Sequence, residues 1–389
     1  MPHSIYLFNP EHDMALAAFS PYYKPPADVV RMSADLSALP AWMAAAGDVV
    51  YMSEREKNIK WNCSEAASLL PKLRWTDRFL DMPYKPWGWN PALCATLAGN
   101  GVGASFFPSE ERLKKMRCLS GRVCYVSLLS DLRQFPTTCG MAVACSSFEE
   151  VKSFLESFHQ AVLKAPWSGS GRGVMKVSLS SLSDSMVGWI NRIIRTQGHV
   201  MAEPLYDKML DFAMEFFADE DGGISFVGYS LFETDAHGNY KSNMLLSDGQ
   251  IESMLASYVP LSLLHQVRKR LLAYFRHSLP NVYIGYFGVD MMVCRQNRNF
   301  LLHPLVEVNL RMNMGAFSRL FFDRYCLPQA CGCYAVEFFR GEGEASLFDE
   351  HMRNSFPLEV CDGRIASGYL SLAPVSMSTH YVAYIKIRT

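Results

Sequence analysis

The sequence predicts a mixed α/β and α+β chain. A small α/β domain is expected over residues 1–105, a two-part α+β region over 106–340, and an extension over 341–389 packed against it. Three observations lead there. Short apolar runs alternate with helical stretches through about residue 105, the pattern of a sheet covered by helices. Two later segments, "AVLKAPWSGSGRGVMKVSL" and "IGYFGVDMMVCRQNRNFLLHPLVEVN", each place paired extended runs around a turn, as antiparallel hairpins do. A length of 389 residues also exceeds what one ordinary core holds, so two or three packed domains are expected.

In chain order, "SIYLFNPEHDMALAA" reads as a strand, a loop carrying Asn9, Glu11, His12 and Asp13, and a helix. "GDVVYMS" is a second buried strand. "YKPWGWNPAL" is an ordered connection, because Trp87 and Trp89 are costly to leave in water. The second domain starts at "PSEERLKKMRCLSGRV", where Leu113, Met116 and Leu119 fall near helical spacing. "SFEEVKSFLESF" is a capped helix with Glu149 and Glu150 in its first turn, and it delivers the chain to the strand "AVLKA". An extended run, "VMAEPLYDKM", marks the boundary between the two α+β parts near 200–206. The terminal "YVAYIKIR" alternates as a strand does, and it is expected at a sheet edge.

Composition narrows the function classes. With 49% apolar residues, 19% charged residues and a formal net charge of −1, the chain is a folded soluble protein with no advertised polyanion surface, so no nucleic-acid partner is expected. Arg268, Lys269 and Arg270 read as the wet side of a helix. Eleven cysteines, odd in number and without CxxC spacing, favour a reducing cytoplasm over a disulfide framework, with Cys326, Cys331 and Cys333 as buried thiols rather than metal ligands. The first residues show no basic leader, and no span approaches membrane-crossing length, so a cytoplasmic protein without a membrane partner is expected. Oligomeric state stays open.

The chemistry-bearing residues fall in four places. Gly169, Gly171 and Gly173 form GxGxG inside a hairpin, whereas the familiar phosphate loops need GK[ST] or GxGxxG leading into a helix. What remains is either a flap whose amides close over phosphates or a long hairpin turn. Lys164 lies on the strand entering that loop. The run ending at Glu203 is followed by Asp207 and Asp211. On the late hairpin, alternation puts Glu307, Asn309 and Arg311 on one face, with Asp290 on the partner strand. Two carboxylates and an amide oxygen there either face solvent or gather around a hard cation such as Mg²⁺.

A lysine with a glycine flap, an extended run with acids, then Asp and Glu-x-Asn-x-Arg on a hairpin, in that order, resemble the ATP-grasp family over roughly residues 106–340. The first hundred residues look like the α/β domain that precedes it. The resemblance implies that two α+β subdomains clamp ATP with Mg²⁺ or Mn²⁺. It also implies that a small-molecule carboxylate is activated as an acyl phosphate and joined to an amine. Carried over by position, Lys164 is the phosphate lysine and Ser168, Gly169, Ser170, Gly171, Arg172 and Gly173 the phosphate-covering loop. Glu203, Pro204 and Leu205 form the adenine hinge and Asp207 is the ribose acid. Proline 204 lacks an N–H, so the backbone donor falls to Leu205 or Tyr206. Asp290, Glu307 and Asn309 are the metal ligands, and Arg311 faces the acyl phosphate, with Lys164 and Arg172 offsetting charge. Lys114, Lys115, Arg117 and Arg122 compete for the first nucleotide-contacting cation, and Lys115 is taken for the part. Asn9, Glu11, His12 and Asp13 are candidates for the acceptor site, with His12 able to serve as a general base, or else they form a local turn network. Arg319 and Arg324 either bind a substrate carboxylate or form a charged helix surface. The alternative to an enzyme is a nucleotide-binding regulatory protein that keeps the clamp without turnover.

Overall fold

The computed structural model describes residues 3–52, 68–168, 173–234 and 240–388. Near the N-terminus, four short strands form a parallel sheet in the order Arg74–Thr76, Val49–Tyr51, Ile5–Leu7, Tyr84–Pro86. Ile5, Leu7, Val49 and Val50 are all buried, as strands covered on both faces require. The segment read as a connection begins with the last of these strands. Trp87 then packs edge-on against Phe8 with ring centroids 4.9 Å apart. Asn90 accepts a hydrogen bond from the Leu93 N–H at 2.9 Å and so caps the helix Pro91–Gly99.

A four-stranded antiparallel sheet follows, in the order Val143–Cys145, Val200–Pro204, Gln160–Lys164, Val174–Ser178. The helices Phe148–Phe158 and Asp184–Gln197 pack on it through Val151, Leu155 and Ile190. The expected capped helix forms: Ser147 Oγ accepts from the Glu150 N–H, and Glu150 Oε2 accepts from the Ser146 N–H. The expected glycine-loop hairpin also forms, with Lys164 opposite Val174.

The third sheet has nine antiparallel strands. From one edge they run Asn299–Asn309, Gly285–Gln296, Asp207–Ala218, Ile224–Thr234, Tyr240–Leu245, Cys331–Phe338, Tyr381–Arg388, Arg364–Ser371 and Glu359–Cys361. Strand alternation gives its two faces different work. Phe212, Met214 and Phe216 pack toward the helix Leu261–Ser278, with Phe216 and Phe275 centroids 6.0 Å apart. Residues of the opposite parity, Ala213 and Glu215, face the helix Met314–Tyr325, and this face carries the acids. The terminal strand forms, but inside the sheet rather than at its edge. Its apolar residues Val382, Ile385 and Ile387 are buried with strands on both sides, and Glu359–Cys361 takes the edge. Among the described residues, no helix is long and apolar enough to cross a membrane.

Candidate functional site

The acidic strands are held in a shifted register. Asp290 lies directly opposite Glu307, whereas Met292 lies opposite His303, so the second strand carries two extra residues between these pairs. Pro304 sits in that stretch, where a missing N–H costs the ladder nothing. Direct opposition puts Asp290 and Glu307 on the same face, and Asn309 Nδ2 donates to Asp290 Oδ2 at 3.0 Å. Burial, then the neighbouring Glu307 and Glu215 carboxylates, push Asp290 well above the usual carboxylate range. Crowded carboxylate and amide oxygens, one of them a buried carboxyl raised by its acidic neighbours, are the donor set a hard divalent cation relieves, so these residues fit Mg²⁺. Among the described residues, no three His, Cys, Asp or Glu side chains form a metal-holding group, and the amide of Asn309 is needed to complete the set.

Glu215 is a carboxylate the sequence reading missed. It is 1% exposed, accepting from Ser230 Oγ at 2.7 Å and from Asn313 Nδ2 at 3.1 Å. Burial outweighs both bonds and raises its pKa to about 7. Its register partner on the neighbouring strand is Gly288, and a Cβ on that glycine would come within 2.6 Å of Glu215 Oε2. The alternation Asp211, Ala213, Glu215 in "LDFAMEF" was the available signal.

Arg122 joins the acidic strands to the glycine-loop hairpin. Its side chain is 6% exposed, and its Nη2 donates to Glu307 Oε1 at 2.7 Å. Nη1 donates to Ser168 Oγ at 3.0 Å and to the Ala165 carbonyl, next to Lys164. Of the four competing cations, Lys114 and Lys115 are exposed and bridge Glu110 and Glu111 one helical turn away. Arg117 donates to the carbonyls of Leu16 and Ala17 and stacks 3.9 Å over Trp167. Arg122 alone of these four reaches the Glu307 carboxylate.

Lys164 donates to Glu203 Oε2 at 2.7 Å, with both side chains buried. The Leu205 N–H is taken by the Gln160 carbonyl at 3.3 Å. Asp207 lies exposed against Arg295 Nε at 2.9 Å. Gly169, Ser170, Gly171 and Arg172 lie outside the described residues. The loop's two ends are close together: a Cβ on Gly173 would overlap Ser168, and the Ala165 N–H donates to the Gly173 carbonyl at 2.8 Å.

The N-terminal loop also reaches the site. Arg311, just past the strand end, donates from Nε to both Asp13 carboxylate oxygens at 2.8 and 2.9 Å, and from Nη2 to Asn309 Oδ1 at 3.1 Å. Burial works to raise the Asp13 carboxyl, but the Arg311 charge and its hydrogen bonds prevail and hold it below its usual value. His12 is 3% exposed with Nδ1 unpartnered, and its ring lies against Gly88. Burial pulls its pKa down to about 4, so at neutral pH the imidazole is uncharged and a weak base. Asn9 serves a turn network instead: its side chain donates to the Gly88 carbonyl at 2.8 Å and accepts from the Gly88 N–H at 3.2 Å. Burial raises the Glu11 carboxyl.

Two hollows flank Glu307. One is an apolar slot between Tyr125, Val126, Leu129, Met201 and Leu305, with Arg122 and Glu203 also lining it. The other, toward the N-terminal domain, is lined by His12, Asp13, Ser120, Ser168 and Asn309. Arg319 and Arg324 are in neither; Arg324 is exposed on its helix, as a charged surface would have it, whereas Arg319 is not. Arg319 is buried and donates to the Leu246 carbonyl at 2.6 Å, while Arg324 ties the carbonyl of Ala44.

No family model matches the sequence, and no curated protein is significantly similar to it. Solved structures are similar in fold. N5-carboxyaminoimidazole synthetase from Staphylococcus aureus, complexed with ADP, is 10% identical, with a TM-score of 0.51 over all of this chain and 94% of that one. Biotin carboxylase from Campylobacter jejuni, in a complex with a β,γ-ATP ligand, is 12% identical, with a TM-score of 0.52 over all of this chain and 88% of that one. The biotin carboxylase domain of Hydrogenobacter thermophilus 2-oxoglutarate carboxylase, with MgADP, ADP and bicarbonate, is 10% identical, with a TM-score of 0.53 over all of this chain and 87% of that one. The chain has the ATP-grasp fold.

Proposed function

We propose that the chain is an ATP-dependent ligase that activates a small-molecule carboxylate as an acyl phosphate and joins it to an amine. One arrangement carries the reading. The Arg122 guanidinium spans Ser168, at the root of the glycine loop, and Glu307, on the acidic strands, with a hollow on either side of that carboxylate. The apolar lining of the slot would pack on a purine once the slot opens. Glu203 at its rim would accept from an exocyclic amine, and Tyr206 would supply the hinge N–H, since that of Leu205 is already used. Asp207 would take the ribose on exchanging its partner Arg295.

Phosphates leaving the slot would meet Lys164, Arg122 and the loop from Ser168 to Gly173. In this reading Arg122 takes the role first given to Lys115, because a desolvated guanidinium acts on phosphate far more strongly than an exposed ammonium does. Asp290, Glu307 and Asn309 would hold Mg²⁺, which supplies charge neutralisation across the phosphate oxygens. Lys164 and Arg172 would offset the charge that develops as the phosphoryl group moves, and the closed loop would keep water from the acyl phosphate. Arg311 is tied to Asp13 and Asn309, which line the second hollow, and the acceptor would sit there beside it. His12 would orient the acceptor as a neutral hydrogen-bonding group, since a pKa near 4 leaves it too weak for a general base.

The test is ADP release from Mg-ATP over a panel of carboxylate and amine pairs, with Glu307→Gln as the comparison. At least one pair should stimulate release, and the variant should lose about a hundredfold of it while keeping its fold. Binding of nucleotide without stimulation by any pair, or full turnover by the variant, would sink the ligase reading.

A further inference from the structure

Arg122 is presented by a turn with a thiol on each side. Cys118 lies in the last turn of the helix Glu110–Ser120 and is exposed, whereas Cys124, in the single turn Arg122–Tyr125, is half-buried. Their Sγ atoms are 3.6 Å apart, and Cys124 Sγ donates to the Cys118 carbonyl at 2.8 Å. Cys139 and Cys294 also face each other, but both are buried. The 118–124 pair therefore combines a near-bonding separation with a route for an oxidant.

The turn between these thiols is a crossing point. A Cβ on Gly121 would lie 3.2 Å from both the Cys118 carbonyl and the Trp167 ring, so the turn has little slack. Trp167 Nε1 donates to the Arg117 carbonyl at 2.8 Å, and the Arg122 N–H donates to the Pro166 carbonyl at 3.3 Å, which ties the turn to the root of the glycine loop. Bonding needs the two sulfurs to close to about 2.05 Å, and whatever side-chain rotation does not supply falls on the short segment that carries Arg122.

We propose that Cys118 and Cys124 are a reversible dithiol, a modification site for small disulfides or peroxides, whose oxidation displaces Arg122 from Ser168 and Glu307 and so weakens nucleotide binding. The second half rests on the nucleotide reading above. With a disulfide oxidant, the Cys118 thiolate attacks one sulfur and expels a thiolate. The Cys124 thiolate then attacks Cys118 Sγ, expelling the second thiolate and leaving the intramolecular bridge. Two electrons pass to the oxidant and the two thiol protons to the released thiolates. Burial pushes the Cys124 thiol up to about 12, which makes exposed Cys118 the point of entry.

The full chain, treated with oxidised glutathione and digested without reduction, gives the first readout. Trypsin cuts after Arg117 and Arg122, so the two cysteines fall on separate peptides that only a bridge holds together. That linked pair should appear, vanish on reduction, and be missing from Cys118→Ser and Cys124→Ser. Titration with a fluorescent ADP analogue and Mg²⁺ gives the second. Oxidised wild type should bind about tenfold more weakly than reduced, the size of one lost charge-assisted hydrogen bond, and Cys118→Ser should not respond. Glutathione left on Cys118 without a bridge, or a bridge with unchanged affinity, would overturn the proposal. If the reduced protein binds no nucleotide, the ligase reading fails, while the peptide map still decides the dithiol.

Discussion

At the scale of single residues, burial rather than residue type selects who takes part. Lys114, Lys115, Arg117 and Arg122 look equivalent as letters, yet only Arg122 is desolvated against both a carboxylate and the loop root. Its planar fork feeds three acceptors from two separate nitrogens, a spread that the single nitrogen of an ammonium lacks. Arg122→Lys should therefore cost about 1–2 kcal/mol of stability in urea unfolding, and it should weaken nucleotide binding more than Lys115→Ala does. Glu215 makes a pH-dependent prediction. Its carboxyl titrates near 7 in the fold and near the ordinary 4.5 when unfolded, so between these values the native state binds the extra proton. Stability from this group is present below the lower value and lost as pH rises to the upper, by about 3 kcal/mol in all. Glu215→Gln, which can keep both hydrogen bonds, should flatten that decline when urea midpoints are compared at about pH 5 and about pH 8. An unchanged slope would show that Glu215 is not the group responsible.

Elements position these residues through close approach, and glycine is what permits it. The helix Met314–Tyr325 starts against the acidic face, with Asn313 both capping the helix and donating to Glu215. A Cβ on Gly315 would overlap the Glu215 carboxylate and the Ser230 hydroxyl. Alanine there gains about 1 kcal/mol of helix propensity but forces the helix off the sheet at a cost of about 1–3 kcal/mol. Gly315→Ala should thus lower the melting temperature despite its better propensity, and Gly249→Ala, which meets nothing, should not. This level also divides what the sequence could tell from what it could not. Alternation and turn chemistry announced the two hairpins, so Lys164, Asp290 and Glu307 could be placed on strands without coordinates. Alternation is blind to what lies across a sheet. Glu215 was missed because its partners Ser230 and Asn313 are 15 and 98 residues away. The terminal strand was put at an edge because one strand's pattern does not show whether it has one neighbour or two.

Across the whole molecule, three ion pairs of the site join residues from separate segments. Arg122 holds Glu307, Lys164 holds Glu203, and Arg311 holds Asp13 from the N-terminal loop. Three parts of the chain thereby meet at one cleft, and a nucleotide would have to exchange these partners rather than enter an open cavity. Such a ligand binds only the assembled arrangement, so its free energy adds to that of the fold. At a nucleotide concentration one hundred times its dissociation constant the gain is about 2.7 kcal/mol. Because Asp290 and Glu307 repel phosphate until a cation is present, that gain should require Mg²⁺. ADP with Mg²⁺ should raise the melting temperature, and ADP with a chelator should leave it near the apo value. Asp290→Asn and Glu307→Gln should remove the Mg²⁺ dependence without abolishing the fold. Asp13→Asn should act differently: it frees Arg311, an anion-binding group, so nucleotide should still stabilise the protein while the apo form melts earlier. Equal stabilisation by ADP with and without Mg²⁺ would separate the acidic strands from the nucleotide and leave their convergence a structural matter.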